Sequence, residues 1–275
     1  MSANRLQPRS VIVTIFGAFV QRTGNWIAVA DLISLLGELG IEEPSVRAAV
    51  ARLKKSGLLL PVTRADAAGY SAGPEFVEIL RDGDARIFAS RRPADLEDGW
   101  VLASFSVPES ERDRRYRLRT HLQSLGFGSI GSGVWIAPRR ALVDARRILE
   151  RGGLSGYVHL FTASYSGFED LEELAARTWD FADLARSYGE FLANHEPVLK
   201  RWRNSPGDDV EAFVDYVSAL ECWRPLAYLD PGLPRELQPG AEVRDRATAV
   251  FSELTGELEH RAHLHVLTTG SQRRG

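Results

Sequence analysis

Between residues 43 and 64 the chain gathers six side chains suited to holding a polyanion: Ser45, Arg47, Arg52, Lys54, Lys55 and Arg64. Guanidinium and ammonium groups neutralise phosphates. A guanidinium can also make two hydrogen bonds to a guanine edge, and a serine hydroxyl suits donor or acceptor. The spacing predicts how they are displayed. In a helix opening at Glu43-Pro44-Ser45, the residues Val46, Val50 and Leu53 fall at i, i+4 and i+7, a narrow apolar stripe for a core. At about 100° per residue, Ser45, Ala48, Ala51, Arg52 and Lys55 fall opposite that stripe, with Arg47 and Lys54 on the flanks. Small residues mixed with cations suit close approach to a phosphate-walled groove, so double-stranded DNA is the expected ligand. Ser45 and Arg52 are the expected readers of base edges. Arg47, Arg52, Lys54, Lys55 and Arg64 are the expected phosphate contacts. The plainer alternative is a solvated face on an ordinary helical hairpin.

The flanking residues supply the elements that would position this face. Leu35, Leu36 and Leu39 end a preceding helix, and Gly40 stands where a left-handed residue is wanted. Ile41 plugs the space between the helices, and Pro44 suits the first turn of the next one. Gly57 stops that helix. Leu58 to Val62 is short, apolar and β-compatible, Thr63 to Gly69 is polar and turn-rich, and Tyr70-Ser71 returns as a second strand. With a first helix over Pro8–Gln21, a short strand at Trp26-Ile27 and a closing helix from Pro74 to about Phe88, the expected fold is a winged helix-turn-helix. Arg91-Arg92-Pro93 marks its boundary.

The next block reads as a strand (Trp100–Val107), a charged helix (Glu109–Leu125), a Gly-rich hairpin or one bulged strand (Phe127–Pro138), a helix (Ala141–Arg151) and a strand (Gly156–Ser164). The order β-α-β-β-α-β predicts a ferredoxin-like domain. From Glu169 the pattern is helical, over Glu169–Asn194, Pro197–Arg203, Asp208–Cys222 and Val243 to about His265, with frayed residues from Thr268 onward. The expected fold class is therefore α+β and multidomain: a winged-helix domain (1–92), a ferredoxin-like domain (93–168) and a helical domain (169–275).

Composition narrows the function. The 275 residues are 44% hydrophobic and 26% charged, ordinary for a soluble globular chain. Residues 1–168 carry 22 Lys and Arg against 17 Asp and Glu, a net +5, whereas 169–275 carry 12 against 20, a net −8. A polyanion therefore belongs in the first two thirds. Of three lysines, two lie at the end of the basic helix, and the arginine bias elsewhere suggests a G+C-rich bacterial source. The N-terminus lacks the apolar core of a signal peptide, and the run Val11–Val20 is too short to span a bilayer. With one cysteine, Cys222, the expectation is a cytoplasmic chain without membrane association or intrachain disulfide.

Other chemistry is weaker. His260, His263 and His265 would need a third ligand and a supporting shell, so no metal is expected. Cys222 beside Trp223 reads as core, and no nucleophile elbow, phosphate-binding Gly-Lys loop or Cys/His pair is present. The middle block resembles in topology the small ferredoxin-like nuclease of CRISPR adaptation. Those enzymes present an Asp at the end of the first strand, where this chain has Ser106-Val107-Pro108. No catalytic residue or cofactor is expected. The alternatives to a DNA-binding regulator are a nucleic-acid-processing enzyme built on that block and a protein-interaction module.

A set of short stretches resembles the PaaX family of bacterial transcriptional repressors over nearly the whole chain. They are Pro8-Arg9-Ser10, Phe16-Gly17, the run Ser45 to Leu53, Gly57-Leu58-Leu59, Trp100, Arg115–Leu125 with Gly126-Phe127-Gly128, Arg224-Pro225-Leu226 and Asp230-Pro231-Gly232-Leu233-Pro234-Arg235-Glu236-Leu237. The resemblance implies a winged-helix DNA-binding domain, a ferredoxin-like middle domain and a helical C-terminal domain. It also implies a homodimer released from its operator by an acyl-CoA, typically phenylacetyl-CoA, which would tie it to phenylacetate catabolism. One departure bears on the effector: where the family usually shows a Trp-x-Gly pair after the Asp-Pro-x-Leu-Pro loop, this chain has Glu242 and Arg244. An acyl-CoA would need cations for its phosphates and aromatic rings for its acyl group. Arg115, Arg119, Trp179 and Trp223 are the candidates, in a pocket expected between the middle and C-terminal segments. The plainer reading of the arginines is a solvated face neutralised by Glu109, Glu111 and Asp113 through i,i+4 pairs, and of the aromatics, a helical core.

Overall fold

The computed structural model describes residues 6–88 and 94–271, so the boundary at Arg91-Arg92-Pro93 lies outside the described residues. The described residues group into two compact units, one of residues 6–88, 191–224 and 248–271 and the other of residues 94–190 and 225–247.

The first unit opens with α1 (Pro8–Ala18), whose Val11, Ile12, Ile15 and Phe16 are wholly buried. Helical geometry stops at Ala18, short of the expected Gln21, and gives way to one 3-10 turn over Val20–Thr23. Then follow β1 (Ile27–Ala28), α2 (Val29–Glu38), α3 (Glu43–Lys55), β2 (Leu59–Arg64), β3 (Ala67–Ala72) and α4 (Pro74–Phe88). The three strands form one antiparallel sheet in the order β1-β3-β2. Trp26 stays outside the strand expected for it and donates its indole N–H to the Val62 carbonyl at 3.0 Å.

The hairpin is tighter than its composition suggests. Thr63 pairs with Ala68 and Arg64 with Ala67, so most of the polar stretch is strand and only Ala65-Asp66 turns the chain. Both turn residues have positive φ, +47° and +63°. That backbone matches the twist of the two strands it joins, although neither residue is glycine.

Two helices that frame the basic face end in the same way. Past α2, Gly40 (φ +74°) donates its N–H to Gly37 and Ile41 donates to Leu36; past α3, Gly57 (φ +74°) donates to Lys54 and Leu58 to Leu53. This pair of bonds satisfies carbonyls the helix leaves open, and the left-handed residue it needs costs a side-chain-bearing amino acid about 1–2 kcal/mol.

Far along the chain, Arg224 donates to Glu221 at 2.6 Å and to the Thr14 hydroxyl at 2.8 Å, and also reaches the Ser10 hydroxyl. Two of the short stretches picked out in the sequence, around Ser10 and Arg224, therefore meet within this unit.

In the second unit β4 (Trp100–Phe105), α5 (Arg112–Ser124), β5 (Gly128–Gly131), β6 (Val134–Pro138), α6 (Ala141–Arg151) and β7 (Val158–Ala163) follow in that order. The expected helix start at Glu109 is instead a 3-10 turn over Glu109–Glu111. All strand pairs are antiparallel and the sheet order is β5-β6-β4-β7. The Gly-rich stretch resolves into a hairpin with a register shift between Ser129 and Gly131. Alternation along β4 sends Val101 and Ala103 to a core with Leu118, Leu122 and Leu149, and Trp100 to a second core with Ile136, Ala175, Leu233 and Leu237. Both faces of the sheet are thus covered, the second by α7 (Leu171–Thr178) and the loop that begins at Asp230.

The remaining helices are α8 (Phe181–Asn204), α9 (Asp209–Leu229) and α10 (Ala241–Ser271). The expected helix over Glu169–Asn194 is broken at Trp179-Asp180, because the Asp180 carboxylate accepts the Asp183 N–H at 2.9 Å and starts a new helix. The expected break before Pro197 does not occur, and α9 likewise runs through Pro225 to Leu229. Each proline removes one helical hydrogen bond, but buried side chains on both sides hold the helix: Phe191, Leu192, Leu199 and Trp202 in α8, Trp223, Leu226 and Ala227 in α9. α10 exceeds its expected span at both ends and includes Thr268.

Candidate nucleic-acid interface

Burial fixes the rotation of α3. Val46, Val50 and Leu53 face the core as their spacing predicts, and Ala49, wholly buried, widens that side. The centre of the exposed side consequently falls on Ala48, Ala51 and Lys55. Ser45 and Arg52 occupy one flank. Arg47 and Lys54 occupy the other, where they border a recess shared with α2 and β3. All six of the sequence-selected residues are exposed.

Their commitments differ. Arg47 is held by Glu43 one turn earlier, with nitrogen–oxygen distances of 2.6 and 2.7 Å. The Lys54 ammonium lies 5.8 Å from the centre of the Tyr70 ring. Arg64 sits over the Trp26 ring at 5.6 Å and donates to the Gly24 carbonyl at 3.3 Å, which fixes the cation at the end of β2. Arg52 and Lys55 make no ion pair among the described residues. The hairpin is tied down from a distance: Asn25 bonds the Ala72 backbone with both ends of its amide, 3.2 and 3.1 Å. Asn25, Trp26 and Tyr70 were not distinguished by sequence, because their partners lie 16 to 47 residues away; only the positive φ of Asn25 after Gly24 follows from a local signal.

The candidate effector residues fall in both units. Arg115 donates to the Val107 carbonyl at 2.7 Å and pairs with Glu109 at 3.0 Å, while Arg119 is exposed on the same helix. Trp179 donates to the Gly126 carbonyl at 3.1 Å and stacks 6.3 Å from Trp100. Those three belong to the second unit. Trp223 belongs to the first, buried and stacked on Phe251 at 4.4 Å with Phe191 edge-on at 5.0 Å, so its ring faces are already occupied by core. Two of the α5 arginines pair at i,i+3 rather than the expected i,i+4, Arg112 with Glu109 and Arg114 with Glu111. Partial burial, with Arg117 and Arg151 nearby, holds His121 below the usual imidazole range.

Asp230 shows what the Asp-Pro-Gly-Leu-Pro loop does locally. Its carboxylate accepts from the Tyr188 hydroxyl at 2.7 Å and from the Gly232 N–H at 2.6 Å, and Arg140 donates to the Gly232 carbonyl at 2.6 Å. Arg244 is buried and donates to the Gln238 side chain at 2.6 Å, whereas Glu242 is exposed. The C-terminal histidines turn to separate partners: His263 to the Glu259 carbonyl and the Phe19 ring, His265 to Glu38 at 2.7 Å.

The architecture is that of a mixed α+β chain with N-terminal helices and a small sheet, a central four-stranded sheet and a helical C-terminal region. Three family models match it in succession: PaaX-like protein over residues 7–73, PaaX protein central Cas2-like domain over 93–175, and PaaX-like protein C-terminal domain over 179–268. The chain belongs to the PaaX family. A curated relative, the transcriptional repressor PaaX of Escherichia coli (strain K12), is 24% identical over 236 residues, which cover 84% of this chain and 73% of the relative. Among solved structures, the uncharacterized protein Rv0674 from Mycobacterium tuberculosis shares the fold with a TM-score of 0.56 at 22% identity, over 92% of this chain and 99% of that one. Among the described residues, no helix is long and apolar enough to cross a membrane.

Proposed function

We propose that this chain is a transcriptional repressor that binds double-stranded operator DNA as a homodimer, with α3 as the recognition helix and the β2–β3 hairpin as a wing. The observation that carries the reading is the exposed side of α3, where Ala48 and Ala51 stand outermost and cations flank them. A helix of that profile lets its backbone come close to base edges while its charges meet phosphates. Ser45 and Arg52 are assigned to base edges, and Arg47, Arg52, Lys54, Lys55 and Arg64 to phosphates. The three-segment division into a winged helix-turn-helix, a ferredoxin-like middle domain and a helical C-terminal domain belongs to the same reading. It is supported by the βαββαβ order and by the three successive family matches. The family's members are repressors rather than enzymes. The end of β4, where a nuclease of related topology would present an Asp, carries Ser106-Val107-Pro108.

The effector half of the reading is an acyl-CoA thioester, as the family resemblance implies, with Arg115, Arg119 and Trp179 of the second unit as its assigned residues; Trp223, stacked on Phe251 in the first unit, is left out. Such a ligand releases DNA only if it prefers the conformation that binds DNA poorly. Calorimetry with free CoA, acetyl-CoA and phenylacetyl-CoA, each paired with a gel shift on DNA from upstream of the gene, tests both halves. The expected result is salt-sensitive DNA binding that a thioester weakens. Thioester binding with unchanged DNA affinity, or no thioester binding, would remove the effector; a flat gel shift would remove the DNA reading.

A further inference from the structure

A helix about 10–12 Å across fills a DNA major groove about 12 Å wide. Its outermost side then meets the bases, and its two flanks meet the two sugar-phosphate walls. On α3 those flanks are unlike. Ser45 and Arg52 are exposed on one flank, whereas the Arg47/Lys54 flank borders a recess of about 160 Å³ between α2, α3 and β3. Val29 and Ile33 from α2 and Val50 from α3 give the recess apolar walls, and Lys54, Arg47 and Tyr70 stand around them. None of the residues lining it is acidic. Arg47 shares its charge with Glu43, but Lys54 meets only the face of the Tyr70 ring and has no carboxylate partner among the described residues. A cation at the edge of an apolar recess, on the side of a helix where a DNA wall would run, matches a deoxyribose joined to its phosphate.

We propose that this recess seats one sugar-phosphate unit of bound duplex, the sugar against Val29, Ile33 and Val50 and the phosphate on Lys54 beside Tyr70. The recess then sets the depth and angle of α3 in the groove, a positioning role distinct from base reading. The proposal rests on the DNA-binding reading above and deepens it.

The test uses the full chain and a labelled 30-base-pair duplex that it selects from a random-sequence pool. A single neutral methylphosphonate is then moved along each strand. One position per bound chain is expected to lose about tenfold in affinity when neutralised, the size of one charge-assisted bond. Lys54→Ala should lose a similar amount on the unmodified duplex and nothing more on the duplex neutralised at that position. Ile33 is half-buried in the recess, so Ile33→Glu should bind at least about tenfold more weakly than Ile33→Gln, and Ile33→Lys more tightly, at matched melting temperatures. Additive losses at every phosphate, or three Ile33 variants with equal affinity, would overturn the proposal and leave DNA binding standing. Selection of no duplex at all by the wild-type chain would overturn the DNA-binding reading itself.

Discussion

α3 and α5 are both arginine-bearing helices of 13 residues, and they use their charges in opposite ways. On α5, Arg112, Arg114 and Arg115 are each taken up by Glu109 or Glu111, and Arg117 donates to the Gly152 carbonyl. Arg114 also meets the ring of Tyr157, whose hydroxyl donates to Glu111. On α3, only Arg47 has a carboxylate partner among the described residues. The outermost positions differ as well: alanines between cations on α3, and the exposed ring of Tyr116 on α5. Charge count alone therefore does not mark a DNA surface. What distinguishes the proposed DNA surface is charge left without an internal partner, next to side chains short enough to admit another backbone.

The largest effect should come from the outer flank of α3. Arg52→Ala is expected to cost about 1–3 kcal/mol of operator binding and to relax base preference at one position, with the fold intact because Arg52 is exposed. Equal affinity across a salt titration would remove Arg52 from the interface.

Next is the closure that aims α3. Gly57→Ala forces a side chain into a left-handed conformation at φ +74° and should lower unfolding free energy by about 1–2 kcal/mol, read from a urea midpoint at constant slope. A change of only a few tenths would mean that the turn relaxes freely.

A smaller effect separates interface from core by pH. His195 is buried against Phe191, and burial holds its imidazole below the usual value. The unfolded chain then binds the proton more readily than the folded one. Its contribution is fully present above the unfolded value, about pH 6.5, and is lost as pH falls toward the folded value. His195→Phe should flatten that acid loss. DNA affinity of the wild-type chain should change little over the same range wherever it stays folded, because the assigned contacts are one serine, arginines and lysines, with no histidine or carboxylate among them. A stability slope unaltered by the substitution would assign the acid loss to other groups.

The smallest effect is expected on α5. Arg112→Ala breaks an exposed pair and should change stability by about 0–1 kcal/mol. A loss comparable to that of Arg52→Ala in a gel shift would erase the contrast between the two helices.

Sequence revealed what depends on neighbours along the chain. The stripe Val46-Val50-Leu53, the glycines after α2 and α3, and the first-turn Pro44 act over a few residues, and each predicted its element. The order of strands and helices in the second unit was legible for the same reason. The turn at Ala65-Asp66 was hidden because no glycine announces its positive φ. Pro197 misled because burial of the surrounding helix outweighs a local penalty, and for the same reason α9 runs past its expected end at Cys222 and through Pro225. At the candidate interface the cations could be read from sequence, but their rotation could not. Ala49 shifted the centre of the exposed side toward Ala48, Ala51 and Lys55, and Tyr70 entered through a strand that pairs with β1 and β2. The Asp230 loop was legible as a motif, while its hold on Tyr188, 42 residues away, required the fold.

The most direct test is the salt dependence of DNA binding by two double variants, Lys54→Ala/Lys55→Ala on α3 and Arg112→Ala/Arg114→Ala on α5. If each α3 lysine neutralises one phosphate, its double variant should reduce the slope of log K against log salt by about two units and weaken all sequences alike. The α5 variant should leave the slope at its wild-type value. An unchanged slope for the α3 variant, or an equal reduction for both, would contradict the assignment of the DNA surface to α3.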